Sequence, residues 1–359
     1  MSKKKIVVAM SGGVDSTTVA AMLKREGHEV IGITMQLLDY TDAEGGCCSF
    51  DQVVDARRTS EELGIPHYVV NFTDEFKDYV LKDYVSKYES GKTPIPCVLC
   101  NQFVKFDLLL KRALELGADY LATGHYAKIE EENGVYTLRK ALDESKDQTY
   151  FLYTLGQKEL SKLMFPLGGL TKVEVRELAR EFRLRPADKP DSTGVCFAPT
   201  GNYRDYLRAR SEFKESDGEI VNTEGQVLGA HKGVFAYTVG QRRGLGIATG
   251  KPMYVTRIEP GENKVVVGDD NLLYRDKLIA HNISWVDMSH NSDEINMTLK
   301  VKAKVRYRHS ASDATVIMRS KTNALVEFTD RQRAITPGQA VVFYSGEKVL
   351  GGGWIDRVI

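Results

Sequence analysis

Short apolar runs alternate with amphipathic segments through the first 125 residues, and this alternation restricts the possible folds more than any other feature. Strands are predicted at residues 5–10, 29–35, 67–71 and 120–122. Helices are predicted at residues 15–26, 51–63, 73–88 and 101–116. Strands that alternate with helices form a parallel sheet covered on both faces, and ligands of such sheets lie beyond the carboxyl ends of the strands. We therefore expect an α/β domain with its site at that edge.

The pattern changes after about residue 205, where β structure is predicted to dominate. Hairpins are expected within residues 219–230 and 254–267, and alternating segments from residue 281 onward indicate a small β-barrel or sandwich. A chain of 359 residues also exceeds what one hydrophobic core usually serves. The predicted domains are a catalytic α/β domain at 1–205, a small central β-rich domain at 206–275 and a C-terminal β-barrel at 276–359.

Composition excludes several classes of protein. The chain is 42% hydrophobic and 27% charged, which is ordinary for a globular protein. The apolar run at residues 6–10 is too short for a signal-peptide core, and no stretch approaches the roughly 20 apolar residues of a membrane span. Five cysteines in so long a chain do not form a disulfide framework. We expect a cytoplasmic protein, with no membrane partner, whose cysteines are thiols, metal ligands or catalysts.

The string Ser11-Gly12-Gly13-Val14-Asp15-Ser16 joins a predicted strand to a predicted helix. Two glycines let the backbone pass close to a phosphate, and the N–H groups that begin a helix favour an anion. Asp and Ser are also common helix caps, so a structural role alone would use some of the same residues. The string lacks the Gly-Lys-Ser/Thr ending of a Walker A loop, so transfer of a γ-phosphate is not indicated.

Three cysteines are candidates for chemistry. Cys97 and Cys100 follow a stretch at 93–96 whose two prolines make the approach stiff and non-helical. Asn101 is expected to cap the next helix, which would leave Cys100 beside a helix N-terminus where a thiol loses its proton more readily. A pair of half-buried structural cysteines is the plainer alternative. Cys196 lies in a predicted loop, where a lone cysteine is more often inert, and Cys47 and Cys48 are assigned to a structural or mobile loop.

Charge is distributed unevenly along the chain, although its formal total is zero. Residues 201–359 hold 23 Lys and Arg against 19 Asp and Glu, so any site for a polyanion is expected there. Residues 301–308 alternate strictly, so on a strand Lys302, Lys304, Arg306 and Arg308 would share one face. That face is either an ordinary solvated surface or a contact for an anionic partner. A second basic cluster lies at residues 241–244.

Eight ordered segments together resemble the bacterial tRNA-specific 2-thiouridylase family (MnmA/TrmU), over nearly the whole chain. The segments are residues 11–16, 93–101, 122–126, 146–150, 191–197, 239–242, 306–308 and 351–353. The resemblance implies a PP-loop domain of the N-type ATP pyrophosphatase (adenine nucleotide alpha hydrolase-like) fold. It further implies an enzyme that uses ATP and Mg²⁺ to thiolate the wobble uridine of tRNAs for Lys, Glu and Gln.

The resemblance also implies roles for individual residues. Cys196 would carry sulfur as a persulfide, received from a cysteine desulfurase or a sulfur-relay protein, and Cys100 would assist its transfer. Asp15 would help to hold Mg²⁺. The implied ATP-binding residues are Ala9, Met10, Ser11, Gly12, Gly13, Val14, Asp15, Ser16, Met35 and Gly124. The implied tRNA contacts are Ile95, Pro96, Cys97, His125, Lys146, Asp147, Gln148, Arg306, Tyr307 and Gln339.

One position departs from the family pattern, because many members carry Asp where this chain has Cys97. Cys97 could be a passive replacement that leaves the persulfide route unchanged. Alternatively, Cys97, Cys100 and Cys196 could bind a [4Fe–4S] cluster with one open iron. Other functions also stay open, namely a cytidine thiolase or small-molecule amidotransferase with the same loop, and a non-catalytic tRNA-binding or iron–sulfur sensing protein.

Overall fold

A computed structural model describes residues 2–39, 50–190, 195–197, 216–286 and 297–359. Cys47, Cys48 and the domain boundary predicted at residue 205 lie outside these ranges, as do positions 191–194 of the Cys196 loop. Among the described residues, no helix combines the length and apolar character needed to cross a membrane.

The described residues form seventeen strands and eight α-helices. The strands are β1 (Lys5–Ala9), β2 (Glu29–Gln36), β3 (His67–Asn71), β4 (Tyr120–Ala122), β5 (Lys128–Glu132), β6 (Val135–Arg139), β7 (Leu163–Met164), β8 (Gly218–Val221), β9 (Val227–His231), β10 (Tyr254–Glu259), β11 (Lys264–Gly268), β12 (Tyr274–Trp285), β13 (Thr298–Lys304), β14 (Ser312–Met318), β15 (Ala324–Arg333), β16 (Ala340–Ser345) and β17 (Lys348–Val358). The α-helices are α1 (Val14–Arg25), α2 (Phe50–Leu63), α3 (Thr73–Phe76), α4 (Lys82–Glu89), α5 (Pro96–Leu99), α6 (Leu110–Glu115), α7 (Gln157–Leu160) and α8 (Lys172–Glu181).

The first half of the chain is built on a five-stranded parallel sheet, which confirms the predicted α/β domain. Its strand order is β3-β2-β1-β4-β7. The chain passes from β1 to β2 and β3 on one side, and β4 returns to the other side of β1. The strand order therefore reverses between β1 and β4, and ligands of such sheets bind at the carboxyl edge beside that point. Fully buried apolar residues such as Val7, Val8 and Leu121 form the centre of this sheet.

The helix that carries Cys97 and Cys100 begins earlier than predicted. Ile95 is its N-cap and Pro96 its first residue, and helical structure continues through a π-helical segment, Cys100–Leu109, into α6. Proline suits the first helical position, because its fixed φ matches a helix and its missing N–H would have no partner there. The expectation that Asn101 caps this helix was therefore wrong. Cys97 lies in the first turn, and Cys100 lies one turn further in.

Two β structures follow the α/β domain, as the sequence predicted. The central sheet has the order β10-β11-β8-β9 and contains both predicted hairpins. The six strands β12-β15-β14-β13-β16-β17 form a closed barrel, because β12 also pairs with β17. The β5–β6 hairpin of the first half extends the barrel sheet through β17. The two halves are therefore joined by a shared sheet, while domain boundaries at 205 and 275 stay a prediction.

The prediction of a single strand face with four basic residues was wrong. Strand β13 ends at Lys304, and a turn follows in which the N–H of His309 donates to the carbonyl oxygen of Arg306. Lys302 forms an ion pair with Asp313, and its Nζ lies 3.1 Å from the carboxylate. Because the backbone turns after β13, Arg306 and Arg308 no longer alternate with the strand.

Candidate active site

A cavity of about 460 Å³ opens at the carboxyl ends of β1, β2 and β4. It brings together groups that are far apart in the chain, including the loop after β1, the Cys97 helix, the Cys196 segment and the turn after β13. The predicted site residues that line it are Ala9, Met10, Ser11, Gly13, Val14, Asp15, Ser16, Met35, Pro96, Cys97, Cys100, Gly124, His125, Lys146, Gln148, Cys196 and Tyr307. Most of the predicted site residues therefore lie around one cavity, while their individual roles stay a prediction.

Five predicted site residues do not line the cavity: Gly12, Ile95, Asp147, Arg306 and Gln339. Ile95 is 7% exposed and caps the Cys97 helix. Asp147 is 5% exposed, and its carboxylate accepts hydrogen bonds from the N–H of Ala141 and the hydroxyl of Thr149. Both residues are buried and precede or follow a lining residue in the chain, Pro96 and Lys146 respectively.

Arg306 and Gln339 form hydrogen bonds that join the barrel region to the central region and to the α/β domain, respectively. The Arg306 guanidinium donates to the carbonyl oxygen of Val239 in the central region and to the hydroxyl of Thr336. The Gln339 amide donates to the carbonyl oxygens of Thr93 and Pro94, at 3.0 and 3.1 Å. Gln339 thereby attaches the barrel to the stretch that leads into the Cys97 helix.

The phosphate loop, residues 11–16, is held in shape by its own serines. The N–H of Ser11 donates to Oγ of Ser16 at 3.1 Å, and the two hydroxyl oxygens lie 3.3 Å apart. Gly13 is the N-cap of α1, so the first N–H groups of that helix have no acceptor within the helix. These N–H groups and the positive end of the helix dipole favour an anion in the cavity.

Two glycines allow the loops around the cavity to pack closely. Gly12 has a φ of +71°, and a Cβ there would overlap the carbonyl oxygen of Gln52 in α2. A Cβ at Gly124 would lie 2.9 Å from the backbone nitrogen of Ser16. Gly12 therefore packs the phosphate loop onto α2, and Gly124 lets the loop after β4 approach the start of α1.

Asp15 is the only acidic side chain among the described residues that line the cavity. Nζ of Lys172 lies 2.6 and 2.8 Å from its two carboxylate oxygens, and the hydroxyl of Tyr126 donates to Oδ1 at 2.8 Å. Lys172 is the first residue of α8, which begins with a capping box formed by Thr171 and Glu174. The pair links the phosphate loop to α8.

The three cysteines differ in exposure although all line the cavity. Cys97 is exposed, Cys196 is half-buried and Cys100 is 7% exposed. The ring of Phe197 makes edge-to-face contacts with Phe76 and Tyr84, with centroids 5.9 and 4.9 Å apart. Since Phe197 is buried among these rings, it anchors the adjacent Cys196 at the cavity.

The described residues contain no group of three or more Cys, His, Asp or Glu side chains close enough to hold a metal ion. Cys97, Cys100 and Cys196 are included in that search, because all three are described. A cluster site preformed by these three thiols is therefore not part of this arrangement.

His125 lies between two aromatic rings beside the cavity. Its ring centroid is 5.6 Å from that of Phe106 and 5.7 Å from that of Phe165, and Nδ1 is 2.7 Å from the hydroxyl oxygen of Thr123. Burial, and then the charge of Lys105, hold the pKa of His125 well below its ordinary value. The imidazole is therefore neutral at pH 7 and can donate or accept a hydrogen bond.

Tyr307 is the barrel's contribution to the cavity. It lies in the turn after β13, and its ring centroid is 4.5 Å from that of Phe151. Burial, and next the negative charge of Asp147, raise the pKa of its hydroxyl. The phenol is thus a neutral donor at the cavity wall.

Three family models cover nearly all of the chain. The model described as a tRNA methyl transferase HUP domain matches residues 4–200, and one described as a tRNA methyl transferase PRC-barrel domain matches residues 204–269. A third, described as an aminomethyltransferase beta-barrel domain, matches residues 275–355.

Curated relatives match from end to end. A tRNA-specific 2-thiouridylase MnmA of Geobacter metallireducens is 50% identical, with 100% of this chain and 98% of the relative covered. The proteins of the same name from Geotalea uraniireducens and Clostridium acetobutylicum are 48% and 47% identical, over 99% and 98% of this chain and 96% and 99% of each relative. The chain belongs to the tRNA-specific 2-thiouridylase family. Among solved structures, this 2-thiouridylase is similar to a 4-thiouridine synthetase–RNA complex with bound ATP, at 22% identity and a TM-score of 0.35, covering 57% of this chain and 50% of the other.

Sequence reasoning missed several lysines of this 2-thiouridylase. Four line the described cavity: Lys105, Lys146, Lys172 and Lys189, of which only Lys146 was predicted. Nζ of Lys105 donates to the amide oxygen of Asn101, and Nζ of Lys189 lies 3.0 Å from a carboxylate oxygen of Asp55. In the sequence, a lysine of an amphipathic helix cannot be told from a solvent-exposed one. Only the tertiary fold shows that its side chain lines the cavity. The capping box before Lys172 marks the helix start but gives no link to Asp15.

Proposed function

We propose that this enzyme converts the wobble uridine of tRNA into 2-thiouridine, using ATP to activate the base and a cysteine persulfide to supply sulfur. The observation that carries the proposal is a single cavity in which the phosphate loop faces two thiols, Cys100 and Cys196. These cysteines are 96 positions apart in the chain, and both line this cavity. A phosphate site alone would fit many ATP-dependent enzymes, whereas the pair of thiols fits sulfur transfer.

Adenylation is the first step. The C2 carbonyl oxygen of the uridine attacks the α-phosphorus of ATP, an O–P bond forms, and pyrophosphate leaves with the electrons of the broken bond. The N–H groups at the start of α1 bind the phosphates, and Ser11 and Ser16 add hydroxyl donors. Met35 and Gly124 line the same space and complete the proposed nucleotide site.

Asp15 fits a magnesium ion, because Mg²⁺ is commonly held by one or two carboxylates together with substrate phosphates. Bound there, the ion would neutralise charge that develops on the departing pyrophosphate. Among the described lining residues Asp15 is the one acidic side chain, and it belongs to the phosphate loop and to the first turn of α1.

Sulfur transfer follows adenylation. The terminal sulfur of a persulfide on Cys196 attacks C2, a C–S bond forms, and AMP leaves with the electrons of the C–O bond. Cys100 then attacks Cys196, the bond between Cys196 and the transferred sulfur breaks, and 2-thiouridine is released. In a variant of this route, Cys100 first frees sulfide, which attacks C2. Either way a Cys100–Cys196 disulfide remains, and an external dithiol must reduce it.

The tRNA reaches the cavity from two sides in this proposal. His125, Lys146 and Gln148 come from the α/β domain, and Tyr307 comes from the barrel. A flipped uridine can stack on aromatic rings and receive hydrogen bonds from such groups. Phosphate contacts elsewhere on the tRNA should make binding weaken as salt rises. The proposed tRNA set is Lys, Glu and Gln, and the proposed sulfur source is a cysteine desulfurase or a relay protein.

Cys97 distinguishes two routes for sulfur. We derive the transfer from Cys100 and Cys196, and the alternative is a [4Fe–4S] cluster held by Cys97, Cys100 and Cys196. Full thiolation by iron-free protein with a persulfide donor would exclude that alternative. Stoichiometric iron that disappears in Cys97→Ser together with activity would instead establish the cluster route.

The function is tested by products. Wild-type protein with ATP, a persulfide donor and tRNA should release AMP and pyrophosphate only when tRNA is present, and digested tRNA should contain 2-thiouridine by mass spectrometry. Cys100→Ser and Cys196→Ser should bind ATP normally and form no 2-thiouridine. Thiocytidine as the product, nucleotide cleavage driven by a small amine, or tRNA binding without AMP release would each overturn the proposal.

A further inference from the structure

Lys172 brings a buried ammonium group to the phosphate-loop end of the cavity. The residue is 8% exposed, and its Nζ contacts both carboxylate oxygens of Asp15. Asp15 is the second residue of α1, so the ammonium lies beside the N–H groups that begin that helix. Two positive features, a helix start and a lysine, therefore point to the same place.

This pairing has to be released before Asp15 can take the magnesium role proposed for it. A lysine in a buried position is costly unless an anion accompanies it, and here Asp15 supplies that anion. When Asp15 turns toward a metal ion, Lys172 needs a different anionic partner. The phosphates of ATP supply that anionic partner when the nucleotide binds.

The residues around Lys172 indicate which end of the nucleotide it contacts. In the proposed reaction, the α-phosphorus must approach the uridine and the two thiols, while the leaving pyrophosphate stays at the phosphate loop. Lys172 contacts Asp15 of that loop, and its Nζ lies 5.8 Å from the ring centroid of Tyr126 on the same side. Charge builds on the pyrophosphate as it leaves, and a preorganised ammonium stabilises such charge.

We propose that Lys172 binds the β- and γ-phosphates of ATP and the pyrophosphate released from them, exchanging Asp15 for phosphate when the nucleotide binds. The assignment of pyrophosphate as leaving group rests on the proposed function. A purely structural pair, which only ties α1 to α8, is the competing explanation. The two differ in whether the loss of Lys172 affects nucleotides according to their phosphate number.

The direct test compares three probes, ATP, AMP and inorganic pyrophosphate, by calorimetry with Mg²⁺ present and without tRNA. Lys172→Gln should weaken ATP and pyrophosphate binding by about 10- to 100-fold, the range of hydrogen bonds to charged groups, and change AMP binding by less than about twofold. Lys24→Gln is the control, since Lys24 is an exposed lysine of α1 with the same charge. Lys172→Arg should restore most of the affinity. Equal weakening of all three probes, or none, would overturn the proposal.

A second comparison covers the case in which Lys172→Gln fails to fold because Asp15 loses its partner. Asp15→Asn removes one charge, and the double variant Asp15→Asn/Lys172→Gln removes both. The double variant should bind pyrophosphate about 10- to 100-fold more weakly than Asp15→Asn, with equal AMP affinity. Equal pyrophosphate affinity in the two would sink the assignment. Because no tRNA is present, these outcomes are independent of whether the wild-type enzyme makes 2-thiouridine.

Discussion

Residues of this site fall into two groups: some line the cavity, and others pack against neighbouring elements without reaching it. Gly12 and Gly13 were both assigned to ATP, yet only Gly13 lines the cavity, while Gly12 turns the loop beneath α2. The motif could be found in the sequence because glycines, serines and an aspartate occur together. Which glycine lines the cavity and which packs against α2 could not be predicted, because the position of Gln52 depends on the tertiary fold.

Gly12→Ala is expected to destabilise the protein by about 2–5 kcal/mol, because it adds left-handed backbone strain to an overlap with the carbonyl oxygen of Gln52. ATP affinity should fall with it as the loop shifts. Gly27→Ala is the matched control, since Gly27 has a φ of +88° but no atom within 4 Å of a Cβ. Urea denaturation and ATP titration should separate the two variants. Equal destabilisation would show that the overlap is relieved at no cost.

His125 gives a prediction about pH. Its pKa is lowered by burial, so folding opposes protonation, and the folded state loses stability as pH falls below the ordinary histidine value of 6.5. Between pH 6.5 and 5, the free energy of unfolding should fall less steeply in His125→Gln than in the wild type. Above pH 7 the two slopes should be equal, which serves as an internal control. Identical slopes at acidic pH would mean that the imidazole titrates as it does in the unfolded chain.

At the scale of elements, the positions of the thiols depend on where helices begin and what anchors loops. The sequence suggested that Asn101 starts the Cys97 helix, because Asn is a good cap, but Pro96 at the first helical position prevails. The parallel strands and their helices were predictable because their apolar runs are clear. The end of β13 was not, because the alternating pattern continues through the turn.

Phe197→Ala is expected to uncouple the two chemical steps. Loss of the ring contacts with Tyr84 and Phe76 should leave Cys196 poorly positioned, and displacement of a reacting group by about 1 Å can cost about 100-fold in rate. In single-turnover experiments, 2-thiouridine should form about 10- to 100-fold more slowly while ATP binds with unchanged affinity. Phe182→Ala, at a ring that packs against Arg25 instead, is the control. A normal thiolation rate in Phe197→Ala would show that the anchor is dispensable.

At the scale of the whole molecule, the barrel is attached to the catalytic half at the stretch that precedes the thiols. The N–H of Thr93 donates to the carbonyl oxygen of Pro337, and Gln339 donates to Thr93 and Pro94. The zero net charge is the sum of an acidic first half and a mildly basic second half, which is compatible with tRNA held by the β structures. The sequence pattern predicted an α/β part and two β parts. It did not predict the contact between the barrel and residues 93–94, because that contact depends on how the folded parts fit together.

Gln339→Ala should therefore affect thiolation through residues 93–96, the stretch that leads into the Cys97 helix. Two carbonyl oxygens lose their donor, so stability should fall by about 1–3 kcal/mol and thiolation should slow, with ATP affinity unchanged. Gln332→Ala is the control, at an amide of the barrel that donates to the backbone carbonyl oxygen of Asp330. If Gln339 acts instead as a direct tRNA contact, tRNA affinity would drop with no change in the unfolding free energy.

The central claim is that Cys100 and Cys196 pass sulfur to a uridine adenylated in the same cavity. It is tested most directly by a single turnover of persulfidated enzyme with ATP and tRNA and without reductant, followed by mass spectrometry of protein and RNA. We predict equal amounts of AMP, 2-thiouridine and Cys100–Cys196 disulfide, and no 2-thiouridine when ATP is omitted. Full 2-thiouridine formation by Cys196→Ser, or turnover that leaves both thiols reduced, would contradict the claim.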